Sequence, residues 1–396
     1  MNPALDAVNR NAVYLDHAAS TPLRSGARRA IEEFASIGEA NASGSHRAAR
    51  RARVAVDDAR ELLGTLLGVD GGDIVFTSGG TEADNLAVLG RHAAVGGTVL
   101  CSAVEHPAVL ECVQLVGGTT IGTDARGVVD LDQLDSLLDH GVLLDHDVSL
   151  VSVMTVNNET GAIQPVAEVA RRVRAAAPNA LVHTDAVQAL NWVDVAAIGP
   201  EADLLSLSAH KFGGPQGVGL CVVRRGSAVA ARQLGGGQER ERRSGTLNVV
   251  GIVAMAAAAA EAVESRDAQC RRVAALRDQL VDHITGELDG VIESAVPTPG
   301  DRLHLAAGHA HLCFSGIESE ALLFLLDDAG IYASAASACA SGAQHPSHVL
   351  EAMGIDRTLA TGSLRLSLGH TTTDSDVERA AAAVVAAVRR LRSFPT

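Results

Sequence analysis

The sequence predicts an α/β protein with a large domain, a mainly parallel sheet between helices, followed by a smaller α+β domain. Three features predict it. Short apolar runs alternate with Ala-rich helical segments through the first half of the chain, each run is bounded by turn or polar residues, and the alternation gives way to a long helical stretch beginning at Val249. Alternating strands and helices imply parallel strands with helices on both faces. Strands covered on both faces read as continuous apolar runs.

In chain order, the runs extend from Ile74 to Thr77, Thr98 to Ser102, Ser149 to Thr155, Leu181 to Thr184 and Leu204 to Leu207. From Val249 to about Val291 the pattern is helical, Ala-rich sequence passing into Arg271, Arg272, Arg277 and Asp278, as suits a helix leading into a second domain. Beyond it, Ala310 to Phe314 and Ser363 to Ser367 read as strands, and the stretches around Leu322 and Val384 as helices. In such a sheet, ligands bind beyond the carboxyl ends of the strands.

Composition narrows the function. Of 32 lysine and arginine residues, one is lysine, Lys211. Arginine serves surface charge and ion pairs as well as lysine does, but only a primary amine condenses with an aldehyde. A net charge of −15 argues against nonspecific binding to nucleic acid or anionic membranes, which draws on a positive field. The longest apolar stretch, Val249 to Ala260, is too short to span a bilayer. No basic segment followed by an apolar run opens the chain, so the cytoplasm is the expected location. Six cysteines, at 101, 112, 221, 270, 313 and 339, are scattered without a CxxC, which suggests reduced thiols rather than disulfides or a zinc ribbon. HxH and HxxH spacings among His304, His309, His311, His345 and His348 lack the carboxylates or cysteines that would complete a known metal site, so none is expected.

Three motifs can carry chemistry. In SGGTEADN, Ser78 to Asn85, an apolar strand runs into a helix start. Free backbone amides, Gly79, Gly80 and the Thr81 hydroxyl make an anion cup there, although an ordinary helix start has the same composition. In HTDAVQ, Asp185 stands where a strand ends, placed to hold a pyridine nitrogen protonated or to cap the next helix, and Gln188 is within reach of a ring hydroxyl. In SAHKFGGPQGVG, Lys211 follows a strand and precedes a Gly/Pro-rich turn, with Ser208 and His210 beside it as phosphate ligands.

Taken in this order, these motifs resemble the class V aminotransferase family, and further matches resemble its cysteine desulfurase branch, the NifS/IscS-like proteins. The resemblance runs nearly end to end: YLDHAASTP from Tyr14, NASGSH from Asn41, Glu105-His106, VNNETG from Val156 and GGGQERERRSGTLN from Gly235. It implies the pyridoxal-phosphate (PLP) fold type I, with residues 17–262 as the large domain and residues 1–16 and 263–396 as the small one. It also implies that Lys211 holds PLP, His106 stacks on the ring, Asp185 pairs with the ring nitrogen, and Gln188 and Asn158 approach the hydroxyl side. Gly80, Thr81, Ser208 and His210 would hold the phosphate. Thr246 would cross to a neighbouring subunit's phosphate, which makes a homodimer with shared sites.

The segment ASAASACASGAQHPSHVL from Ala333 resembles the family's catalytic-cysteine segment. Independently of that match, Cys339 sits among Ala, Ser and Gly with few bulky side chains to anchor it, as suits a thiol that carries sulfur. The other cysteines read as small buried hydrophobes. Arg365, in SLRLSLG, has the planar fork that suits a substrate carboxylate or a structural ion pair; the resemblance assigns it the substrate, assisted by Asn41 and Asn158. Ala336 and Ala209 replace common family glycines and lose backbone freedom there; Thr160 and Ala42 also depart from the usual choices.

The expected reaction is conversion of L-cysteine to L-alanine, with sulfur passing to Cys339 as a persulfide and then to an acceptor protein, an iron–sulfur scaffold or a thiolation enzyme. Rival readings are a selenocysteine lyase, another class V activity, or an idle scaffold. Lys211, Cys339 and Arg365 together favour the desulfurase.

Overall fold

The computed structural model describes residues 12–35, 40–139, 147–335 and 347–393. After β1 (Val13–Tyr14), the central sheet is built from β2 (Ile74–Thr77), β3 (Thr98–Ser102), β4 (Thr119–Ile121), β5 (Val148–Ser152), β6 (Leu181–Asp185), β7 (Leu204–Ser208) and β8 (Gly219–Val223). Its order is β2-β8-β7-β6-β5-β3-β4. All neighbours pair in parallel except β8, which is antiparallel to β2 and β7. This is the α/β architecture anticipated from the sequence, with β4 and β8 added. The run Gly219–Val223 follows so closely on the Gly/Pro-rich turn after Lys211 that it does not stand out as a separate strand.

The 39-residue helix Val249–Glu287 spans about 58 Å at 1.5 Å per residue and enters two cores. Its first half packs Ile252, Met255 and Ala259 with Leu63, Leu207 and Phe212 under the central sheet. Its second half packs Val273, Leu280 and Ile284 with Leu312, Phe314 and Leu366. The predicted helical stretch stops slightly early, and β9 (Val291–Glu293) follows. A small antiparallel sheet is then ordered β12-β10-β9, with β10 (His309–Phe314) at its centre, while β11 (Ile331–Tyr332) pairs in parallel with β1. Strand β12 (Ser363–Ser367) carries Arg365.

Strand β2 lies at the sheet edge, where open N–H and C=O groups need partners. A buried ion pair supplies them. Glu239 accepts from the Phe76 N–H at 2.7 Å, Arg60 donates to Ile74 O at 2.6 Å, and the two side chains join at 2.7 Å. The Arg60 guanidinium also lies 4.5 Å from the Phe76 ring centroid. Glu239, Arg240 and Glu241 have φ of 47°, 57° and 65°, left-handed backbone that costs free energy for side-chain-bearing residues. The Glu239 contacts offset that strain and hold the following segment, 242–246, against the sheet. Glu239→Ala leaves the Arg60 charge buried without this partner and is expected to cost about 3–5 kcal/mol in stability, measured by chemical denaturation.

Candidate active site

Strands β2, β3, β6 and β7 each deliver a candidate residue as the chain leaves its carboxyl end: Gly80 and Thr81, His106, Asp185, and Ser208 through Lys211. They converge on a cavity of about 370 Å³ that also reaches Asn158, Gln188 and Arg365. Ten sequence-predicted residues therefore share one site.

One end of the cavity suits an anion. The helix Gly80–Val95 starts there with no side-chain cap, leaving its first amides for a ligand. Thr81, Ser208 and His210 line the same wall. Gly80 is required by close packing, because a Cβ there would sit 2.8 Å from a Val187 methyl. Burial, followed by the charge of Lys211, pulls His210 down to about 4, so it is neutral at pH 7 and holds an anion by hydrogen bonding. A second opening of about 420 Å³ meets this wall beside Glu82, Gln216 and Gly217.

Asp185 occupies the opposite wall, 5% exposed, with one carboxylate oxygen accepting from Val187 N–H at 2.8 Å. Burial raises its pKa, while His106, that N–H and Lys211 act the other way. A cationic ring nitrogen would supply a partner for this buried acid. His106 caps the helix Pro107–Leu115 by accepting from Ala108 N–H at 3.1 Å through Nδ1. Burial lowers its pKa, against the pull of Asp185. With Nδ1 as the acceptor, the remaining proton sits on Nε2.

Lys211 Nζ donates to Ala18 O at 2.6 Å and Ala19 O at 2.9 Å, and Gln188 also donates to Ala18 O at 2.7 Å. The backbone at Lys211 is held by Asn191, which donates to its carbonyl at 2.9 Å. Ala209 does not have the positive φ that would strain it. Its methyl is accommodated by Gly214, where a Cβ would sit only 2.7 Å from the Ala209 Cβ. The glycine lost at position 209 therefore leaves the lysine in place.

Arg365 is 4% exposed and makes the ion pair that its sequence left open, to Asp16 at 2.8 Å, while also donating to Asn158 O at 3.0 Å. Its buried Nε has no partner among the described residues, and Nη1 and Nη2 each make one of these bonds out of two N–H groups, so the fork keeps donors for a carboxylate. Sequence reasoning missed Asp16, although the motif YLDHAASTP contains it. It also missed the Ala18 and Ala19 carbonyls, whose role no side chain advertises.

Asn41 and Thr246 are exposed and do not line the cavity. Arg243, three residues before Thr246, binds Glu82 at 2.7 Å. Cys339, Ala336 and His345 lie outside the described residues. Among the tested histidines, His309 and His311 are buried on β10, with His311 directly opposite Arg365 in the strand register. Burial first, then Arg365, holds each near a pKa of about 3.

The residues present fit PLP. An anion cup, a buried carboxylate with no ion-pair partner among the described residues, a neutral imidazole and a primary amine match its phosphate, ring nitrogen, ring face and aldehyde in turn. The Aminotransferase class-V family pattern matches residues 13–380. An IscS-like cysteine desulfurase of Mycobacterium tuberculosis is 42% identical, covering 96% of this chain and 97% of that one. A solved NifS-like protein superposes with a TM-score of 0.86 at 33% identity, covering 95% of this chain and 98% of that one. A structure described as SspA in complex with cysteine superposes at 0.75 and 28% identity, covering 90% and 98%.

The neutral imidazole of His311 stabilises the fold fully above pH 6.5, its unfolded value, and this contribution is lost as pH falls towards the folded value of about 3. Relative to His311→Asn, the parent protein is expected to lose about 2 kcal/mol of stability between pH 7 and pH 5, measured by denaturant titration at each pH. An unchanged difference would remove His311 as a source of acid sensitivity.

Proposed function

The chain belongs to the class-V aminotransferase family and to its cysteine desulfurases, and we propose that it uses PLP to convert L-cysteine to L-alanine, passing sulfur to Cys339 as a persulfide. The observation that carries this reading is the convergence of Lys211, Asp185 and Arg365 on one cavity. These are an amine for the aldehyde, a carboxylate for the ring nitrogen and a cation for the substrate.

PLP, when bound, supplies an aldehyde for amines and a ring that accepts electrons from the substrate. Gly80, Thr81, Ser208 and His210 would hold its phosphate, Asp185 its ring nitrogen, His106 one ring face, Gln188 and Asn158 its hydroxyl side, and the Lys211 amine its aldehyde. Arg365 would bind the substrate carboxylate, with Asn158 and Asn41 assisting. Lys211 would move the proton at the substrate Cα, and the Ala18 and Ala19 carbonyls direct its amine in the cavity. The Cys339 thiolate attacks the substrate sulfur, so that an S–S bond forms as the C–S bond breaks. Neutral His106 can exchange a proton without adding a charge beside Lys211.

The exposure of Thr246 supports a homodimer in which Thr246 reaches the partner's phosphate. The persulfide is taken by an acceptor protein, an iron–sulfur scaffold or a thiolation enzyme. Free thiols at Cys101, Cys112, Cys221, Cys270 and Cys313 suit a reducing cytoplasm. No helix among the described residues is long and apolar enough to cross a membrane.

Lys211→Arg keeps the charge but is expected to lose the cofactor absorbance that cysteine perturbs and about 10²–10⁴-fold in alanine production. Cys339→Ser should retain that perturbation and release no sulfide; alanine production at the parent rate would overturn the role of Cys339. Arg365→Lys is expected to raise KM for cysteine about 10- to 100-fold, the loss of about 1.5–3 kcal/mol of charged hydrogen bonding, read from steady-state alanine formation.

A further inference from the structure

Below the cavity, a row of polar side chains crosses the sheet on the face covered by the helix Gly80–Val95. In register, Ser152 of β5 stands beside His183 of β6, and Ser206 of β7 stands beside Asp185 of β6. His183 and Asp185, two residues apart on one strand, point to the same face. The hydrogen bonds run sideways, Ser152 Oγ to His183 Nδ1 at 2.8 Å and His183 Nε2 to Ser206 Oγ at 3.0 Å, and Ser206 also acts on Asp84 of the covering helix. Ser152, His183 and Ser206 are fully buried, and Asp84 is 1% exposed. Asp84 Oδ1, 3.7 Å from His183 Nε2, has no hydrogen-bond partner among the described residues. The proposed reaction uses none of these four residues.

A neutral imidazole has one donor and one acceptor nitrogen, so this chain can run in only two directions. With Asp84 ionised, a buried anion would face the chain with one oxygen unpaired, close to the second acid, Asp185, which is costly on both counts. With Asp84 protonated, its O–H donates to Ser206, Ser206 donates to His183 Nε2, and His183 Nδ1–H donates to Ser152. The unpaired oxygen is then only a neutral carbonyl. Burial, then Asp185 and Glu105, raise the pKa of Asp84 well above the carboxylate range, with Ser206 opposing them. Burial holds His183 near 3. The other titratable groups around Asp84 are the thiols of Cys112 and Cys221, both pushed up by burial first and then by Asp84.

We propose that Asp84 is a positioning residue: as the acid end of the chain Asp84–Ser206–His183–Ser152, it fixes the direction of these hydrogen bonds and keeps the underside of Asp185 neutral, so that Asp185 is the carboxylate that faces the ring nitrogen. The inference rests on the PLP reading for its consequence but not for its geometry. Asp84 reaches the wall of the cavity from below, and it acts through the environment of Asp185. Two acids whose surroundings separate their titrations divide the roles of proton holder and anion between them.

The test is infrared difference spectroscopy of the purified protein against Asp84→Asn. The expected result is the loss of one protonated-carboxyl C=O band, present in the parent from pH 5 to pH 8; Glu105 and Asp185, the other buried acids nearby, are common to both proteins and cancel in the difference. Absence of such a band would mean that Asp84 is ionised and would overturn the proposal. In the cofactor-loaded protein, Asp84→Asn should leave the pH titration of the cofactor absorbance in place, because the amide is also neutral and can still donate to Ser206. Asp84→Leu or Ser206→Ala should move it by about one pH unit, a tenfold change in the equilibrium. If both leave it unmoved, the positioning role is lost, and Ser206→Ala keeps this test open if Asp84→Leu does not fold. Failure of the parent to show any cofactor band would instead sink the PLP reading and leave the infrared result standing.

Discussion

The site concentrates charge in a place with little water to screen it, and the surrounding structure follows from the need to compensate each charge locally. Lys211 is met by two backbone carbonyls, Arg365 by Asp16 and the Asn158 carbonyl, and Asp185 by the Val187 amide. The imidazoles close by, His106, His183, His210, His309 and His311, are all shifted towards neutrality by burial. Charged neighbours at these places would each require another buried counter-ion. Neutral ones provide hydrogen bonding without that cost.

The short segment Tyr14 to Ser20 connects these compensations across the two cores. Tyr14 enters the small β1–β11 pair, and its hydroxyl donates to Ser20 O at 2.7 Å, folding the segment over the cavity. Asp16 then reaches Arg365, the Ala18 amide donates to Ser367 Oγ at 2.9 Å, and the Ala18 and Ala19 carbonyls receive Lys211. A lysine after β7 and an arginine on β12 are thus referenced to one stretch of backbone. The helix Val249–Glu287 ties the same two cores from behind. Together they limit how far the amine and guanidinium can drift apart, which matters because reacting groups misplaced by even 1 Å lose much of their effect.

Much of this was legible because its signals are local. Apolar runs marked five strands of the central sheet, and Lys211, Asp185, Ser208, His210 and Thr81 stand at or just beyond strand ends, where an α/β sheet binds ligands. Relations between distant segments were not legible. The ion pair of Arg365 joins residues 349 apart, and the acceptors for Lys211 are backbone atoms that any residue would provide. Asp84 reads in sequence as one more polar residue on a helix; only the register of β6 with β7 places Ser206 beside Asp185 and between Asp84 and His183. Asn41 and Thr246 lie outside the cavity of the single chain.

Arg365 is the residue through which the proposed function would select its substrate. Its Nη2 donates one N–H to Asp16 and its Nη1 one to the Asn158 carbonyl, while the buried Nε has no partner among the described residues. A bidentate carboxylate through Nε and Nη2 would arrive beside Asp16, which already accepts from Nη2. Asp16 is the more exposed partner, its side chain 24% accessible against 5% for Arg365, so it can recover hydration when displaced while the arginine cannot. The ion pair therefore holds the guanidinium in place until an anion of matching shape arrives. On the proposed reading, an amino acid lacking the carboxylate would leave Asp16 where it is and gain nothing from the fork, so Asp16 would compete with the substrate carboxylate for one guanidinium.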